Sequence, residues 1–210
     1  MTHTTGSRAG LDSAGTDPKQ DLHHYLKAAR EALLWKVEGL SEYNVRRPLT
    51  PTATNLLGLL KHLAGCETGY FGDTFGRPFD EEPMPWLEEF DEDPTVDMWA
   101  RADEPREYIV GLYRKACAHA DATIEALDWN SVGRVPHWPT ERNEVTLHRI
   151  LIHMLAETNR HGGHADIVRE LIDGAAGLQE TNDNLPPGLS WEKYRERLEG
   201  VAKEAAANAE

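Results

Sequence analysis

The stretch His153-Met154-Leu155-Ala156-Glu157-Thr158-Asn159-Arg160-His161-Gly162-Gly163-His164-Ala165-Asp166 decides how this chain is read. Around it Leu147, Ile150, Leu151, Met154, Leu155, Ile167, Val168 and Leu171 keep the three-to-four spacing of a helix with one buried side. The pattern predicts a helix over about Thr146 to Ile172, with Gly174 as its stop. Within it His153, Glu157 and His161 recur every four residues, so they stack on one face about 5–6 Å apart. That is the reach at which neighbouring side chains share a metal ion, as the two histidines of an H-E-x-x-H helix do.

A second informative stretch, Lys61-His62-Leu63-Ala64-Gly65, lies inside another helical pattern. That helix is expected from an N-cap at Thr54 or Asn55 to about Phe75, carrying Leu56, Leu59, Leu60, Leu63, Cys66, Glu67, Tyr70 and Phe71. A third ligand from this helix, such as His62, would leave one position of a tetrahedral ion open. An open position separates catalytic zinc sites from structural ones.

Two more long helices complete the pattern. Leu22, Leu26, Ala29, Leu33, Val37 and Leu40 predict a helix from Asp21 that fades near Glu42–Asn44. Another is expected from Pro105 to Leu127, burying Ile109, Leu112, Tyr113, Ala116, Ala120, Thr123, Ile124 and Leu127. No stretch reads as a convincing strand, although Val132–Asn143 could form an irregular or hairpin-like connection. The fold expected is all-α, a four-helix bundle with a long crossover loop between its second and third helices. A short terminal helix, Trp191 to about Ala205, should follow a polar linker. The organisation expected is a disordered arm over 1–19, a bundle over 20–175 and an appendage over 176–210. Bundles often build metal sites in their cores from facing helices.

The crossover is unusual. From Gly76 to Asp97 it holds Pro78, Pro83, Pro85 and Pro94, and it carries nine acidic residues between Asp80 and Asp97. Phe79, Met84, Trp86, Leu87 and Phe90 are interleaved with them. Such a loop is either a solvated crossover tacked down by its aromatics or a lid over a pocket.

Composition narrows the function. The 210 residues suffice for one domain with a full core. Twenty-two basic against 36 acidic residues leave a net charge of −14, which repels phosphate backbones and argues against nucleic acid. No apolar run approaches the roughly 18 residues of a membrane span, and Met1–Lys19 lacks a secretory h-region. Two cysteines, Cys66 and Cys117, make no disulfide framework, so a cytoplasmic location is expected.

From spacing alone, Glu157 and His161 are either metal ligands or a hydrogen-bonded pair, Glu157 accepting from His161 or Arg160 at a partly wet surface. His153 reads as a rim residue, and His164 as either an orienting group or an exposed one. Cys66 is a further candidate ligand, although buried free cysteine is usually core filler. His23, His24, His119, His137 and His148 have no partner at useful spacing and read as surface or cap residues.

The paired motifs, Pro48–Gly65 followed by Glu67 and Tyr70-Phe71, and His153–Asp166, resemble the DinB-like superfamily. Within it the chain is similar to the branch of mycothiol-dependent maleylpyruvate isomerase and the mycothiol S-transferases, over roughly residues 20–175. The resemblance implies a four-helix bundle with a divalent metal, zinc or nickel, held by His62, Glu157 and His161. Glu157 in the middle position, where much of the superfamily has histidine, matches the isomerase branch. The isomerase has a further C-terminal domain for which 210 residues leave no room, so isomerisation of maleylpyruvate itself is not expected.

The expectation that follows is a metal-dependent thiol S-transferase or thiol-dependent isomerase acting on a small electrophile. Its cosubstrate would be a low-molecular-weight thiol such as mycothiol, held as thiolate at the metal. His164, Asp166 and His153 are the candidates to orient the ligands or meet substrate. Two alternatives stand beside it: a non-catalytic, stress-related metal-binding module, and a hydrolase whose base would be Asp166 or His153. Dimerisation through the bundle or the tail helix fits any of the three.

Overall fold

A computed structural model describes residues 17–209. The described residues are mostly helical, in an all-α bundle. Residues 1–16 of the expected arm lie outside the described range, while Asp17 caps helix α1 (Pro18–Trp35) by accepting from the Lys19 amide. Proline at the first helical position suits an N-terminus, where its missing N–H costs nothing.

Helix α1 ends sooner than its apolar spacing suggested, and a separate short helix α2 (Glu42–Arg46) follows. The break has an identifiable cause. The Arg169 guanidinium donates to the carbonyls of Trp35, Lys36 and Glu38 at 3.3, 3.0 and 2.8 Å. They lie at and just beyond the end of α1, where carbonyls lack a further helical turn to pair with, and the Trp35 carbonyl also accepts from the Glu38 amide at 3.1 Å. Gly39, at φ 71°, then turns the chain in a conformation that glycine adopts freely.

Helix α3 (Leu56–Glu67) is buried nearly all round and forms the centre of the bundle. Asn55 caps it, accepting from the Gly58 amide at 2.8 Å. The same side chain donates to the Met98 carbonyl at 3.0 Å, tying the crossover to the helix start. Gly58 lets that strand of backbone lie against α3, because a Cβ there would overlap the Met98 carbonyl. Beyond Glu67 the helix does not simply run on to Phe75. It widens into a π-helical turn over Thr68–Gly72, then tightens into a 3₁₀ turn over Asp73–Phe75.

Helix α4 (Arg106–Ala126) packs on α3, and α5 (Leu147–Asp173) packs on α1. Thr146 caps α5 and Gly174 ends it at φ 80°. The expectation that Ile167 and Leu171 belong to the core stripe is corrected: both are more than half exposed. Ala165 and Val168 take the inward positions, and at about 100° per residue Ile167 and Leu171 fall on the same outer side as exposed His164.

The connection before α5 is a two-stranded antiparallel hairpin, β1 (Val132–Arg134) with β2 (Glu144–Thr146), pairing Gly133 with Val145. Three-residue strands give too short an alternation to be seen in the sequence. Helix α6 (Trp191–Ala207) is the last described element, with none of its side chains buried.

The bundle interior holds charge as well as hydrocarbon. Arg30 of α1 donates through Nε and Nη2 to the two carboxylate oxygens of Glu67, at 2.7 and 2.6 Å, in a fully buried fork. Its Nη1 reaches Asp121 of α4 at 2.6 Å. Lys61, also buried, donates to Glu104 at 3.0 Å and lies over the Trp86 ring. No helix among the described residues is long and apolar enough to cross a membrane.

Candidate metal centre

His62 comes from α3, and Glu157 and His161 from consecutive turns of α5, so the α3–α5 packing brings the three together. Their ligating atoms all lie within 4.8 Å of one another. Glu157 Oε1 stands 2.9 Å from His161 Nε2 and 3.6 Å from His62 Nε2. Each imidazole therefore turns the same nitrogen, Nε2, towards the carboxylate.

The far nitrogens are held from behind. His62 Nδ1 meets Asp97 Oδ2 at 2.6 Å, and His161 Nδ1 lies 3.3 Å from His164 Nδ1. A carboxylate on Nδ1 fixes the proton there and leaves the Nε2 lone pair facing the cluster, the arrangement by which metal-binding histidines are oriented. Two imidazole nitrogens and a carboxylate oxygen at this separation could hold a divalent metal ion.

The electrostatics agree with a carboxylate facing two rings. Burial would raise the Glu157 carboxyl, but the hydrogen bond from His161 and the charges of His161 and His62 hold it below the usual range. Burial disfavours protonated His62, yet its hydrogen bonds to Asp97 and Cys66 outweigh that and raise it to about 10, so a cation at Nε2 would have to displace a proton there. Burial and the neighbouring His62 charge lower His161.

The other sequence candidates divide. His164, although exposed, backs His161. Asp166 does not face the cluster: its carboxylate pairs with Lys36 Nζ at 2.6 Å, on the side where α5 meets the end of α1. The carboxylate that meets a donor ring from behind is that of Asp97. His153, one turn before Glu157, packs its ring against Tyr70 and Trp138, with centroids 4.5 and 5.3 Å away. Cys66 Sγ lies 3.5 Å from His62 Nε2, at the edge of the donor set.

Sequence reasoning missed Asp97, because a single acid in an irregular acidic loop carries no periodicity. It also set His137 aside, whereas that exposed ring reaches the Tyr70 hydroxyl at 3.2 Å. Tyr70 had a usable signal: it falls four residues after Cys66 and eight after His62, on the helix side that meets α5.

A family model described as MST: Mycothiol-S-transferase matches residues 21–174, from the first turn of α1 to the glycine that ends α5. A search of curated proteins returns no match.

Proposed function

The chain belongs to the mycothiol S-transferase family, and we propose that it transfers mycothiol to a small electrophile at the His62–Glu157–His161 cluster. The observation that carries this reading is the convergence of three donors on one point, each imidazole turned by a partner behind it. A resident zinc ion, or nickel in its place, would be held by these three side chains and would keep a bound thiol deprotonated near neutral pH.

The chain's own groups do the remaining work. Asp97 keeps a proton on His62 Nδ1 and so keeps Nε2 directed inward. Glu157 stays ionised, offering negative charge between the two rings. Hydrolysis is less well served, since Asp166, one of its two candidate bases, is engaged by Lys36. We place the reaction in the cytoplasm, in keeping with two free cysteines, and assign it to the segment 20–175, leaving 176–210 as an appendage.

The test is metal content by mass spectrometry on untagged protein, with thiol transfer assayed beside it. About one ion per chain, lost in His62→Ala and His161→Ala together with transfer of mycothiol to an alkylating probe, is the expected result. Transfer that persists in both metal-free variants would overturn the reading.

A further inference from the structure

The two helices that supply the donors also supply, two turns beyond His62 and one turn before Glu157, a wall of aromatic and imidazole rings. Tyr70 follows His62 on the continuation of α3, and His153 precedes Glu157 on α5. The hairpin loop adds His137 and Trp138. The rings of Tyr70, Trp138 and His153 meet edge to face, at interplanar angles of 62° to 83°. All three are half-buried and His137 is exposed, so the wall borders solvent rather than filling the core.

The polar groups in this wall form a directed chain. An indole N–H can only donate, so Trp138 Nε1 donates to Tyr70 Oη, at 3.3 Å. That occupies one lone pair of the phenol and leaves its own proton to be given elsewhere. His137 Nε2 lies 3.2 Å from the same oxygen and reaches solvent. The Arg149 guanidinium lies over the Trp138 ring and steadies the indole from the side. Tyr70 sits in the π-helical turn, a local widening that recurs at functional sites.

Taking thiol transfer as the reaction, we propose that this wall seats the electrophile, a flat, neutral, conjugated carbonyl compound, and that the Tyr70 hydroxyl donates to its carbonyl oxygen. Edge-to-face rings suit a planar apolar body. A lone hydroxyl suits a single oxygen on which charge develops. Burial, with Cys66 and Glu157 nearby, raises the Tyr70 phenol above its ordinary value, so it meets the substrate protonated.

The step balances as an addition. The thiolate sulfur bonds to the β-carbon, and the C=C electron pair moves to make the carbonyl an enolate. Tyr70 gives its proton to that oxygen and regains one through His137 from solvent, which received the proton the thiol had lost. The enol then returns to the ketone, so the net change is S–H added across C=C.

Two measurements on zinc-loaded full-length protein test the proposal. In calorimetry without thiol, a saturated aryl ketone that cannot react should bind, about fivefold more weakly in Tyr70→Phe and not detectably in Trp138→Ala. In turnover with mycothiol, the ratio of aryl enone to aryl-methyl halide rates should fall about a hundredfold in Tyr70→Phe. The halide is the control because its leaving group takes no proton. Ketone binding that ignores both substitutions, or an unchanged enone-to-halide ratio, would overturn the assignment. Ketone binding that depends on Tyr70, in a protein that turns over neither electrophile, would keep the subsite and sink the transferase reading instead.

Discussion

Asp97 Oδ2 lies 2.6 Å from His62 Nδ1, so a residue of the acidic crossover holds a ring of the bundle core. The crossover thereby helps to hold one ring of the donor cluster. Removing the carboxylate should loosen His62 while leaving the three donors in place. Asp97→Asn is expected to weaken zinc binding about 10- to 100-fold with the helical signal unchanged. Competition against a chelator of known affinity measures it, and an affinity equal to wild type would remove Asp97 from the site.

Gly58 tests the same support from a distance. A methyl group there overlaps the Met98 carbonyl, so the backbone that carries Asp97 must move away from α3. Gly58→Ala should cost about 1–3 kcal/mol in urea unfolding. It should also lower zinc affinity, although residue 58 touches no ligand. Loss of stability with full affinity would mean that the loop adjusts around its anchor without shifting Asp97.

The buried fork between Arg30 and Glu67 is a charge pair whose halves cannot be removed singly. Arg30→Met strands a carboxylate that has no water, and unfolding experiments should register a loss of about 3–5 kcal/mol. The double variant Arg30→Met with Glu67→Gln should recover part of that loss. A single variant as stable as wild type would show that Glu67 takes up a proton at little cost.

Acid should act through Asp121. Burial would raise this carboxyl, but hydrogen bonds and charges from His23 and Arg30 hold it below the usual range. A group whose folded pKa is depressed stabilises the protein fully above its unfolded value of about 4, and the benefit is lost as pH falls through the folded value. Melting temperature should therefore drop between pH 5 and 3, in a range set by carboxylates. The drop should be shallower in Asp121→Asn, and identical slopes in the two proteins would assign the acid sensitivity elsewhere.

Much of the bundle was legible because helices advertise a buried side. The α4 stripe from Ile109 to Ile124 is buried as its spacing requires, and Thr146 and Gly174 bracket α5 as cap and stop. The break after Trp35 was not legible. It depends on Arg169, which arrives from 134 positions along the chain to take the carbonyls. Ile167 and Leu171 misled for the opposite reason, keeping an apolar period on a side that no described element covers. In the candidate site, the spacing of Glu157 and His161 showed that they share a helix face but left their role open, and a family resemblance, not geometry, singled out His62. Asp97 lies in a loop and His137 and Trp138 in a hairpin, neither of which leaves a repeating signature, whereas Tyr70 kept a helical spacing from His62 and Cys66.

The π-helical turn at Thr68–Gly72 has an evolutionary consequence. Such a turn carries one residue more than the α-helical turn it replaces, so losing that residue would restore regular winding and swing the following side chains by about 100°. His62 lies upstream and would not move. A descendant with that single-codon deletion would keep its donor cluster and turn Tyr70 away from the hairpin. The donor cluster and the ring wall of this fold can therefore drift separately, one inherited with the bundle and the other reset by one amino acid.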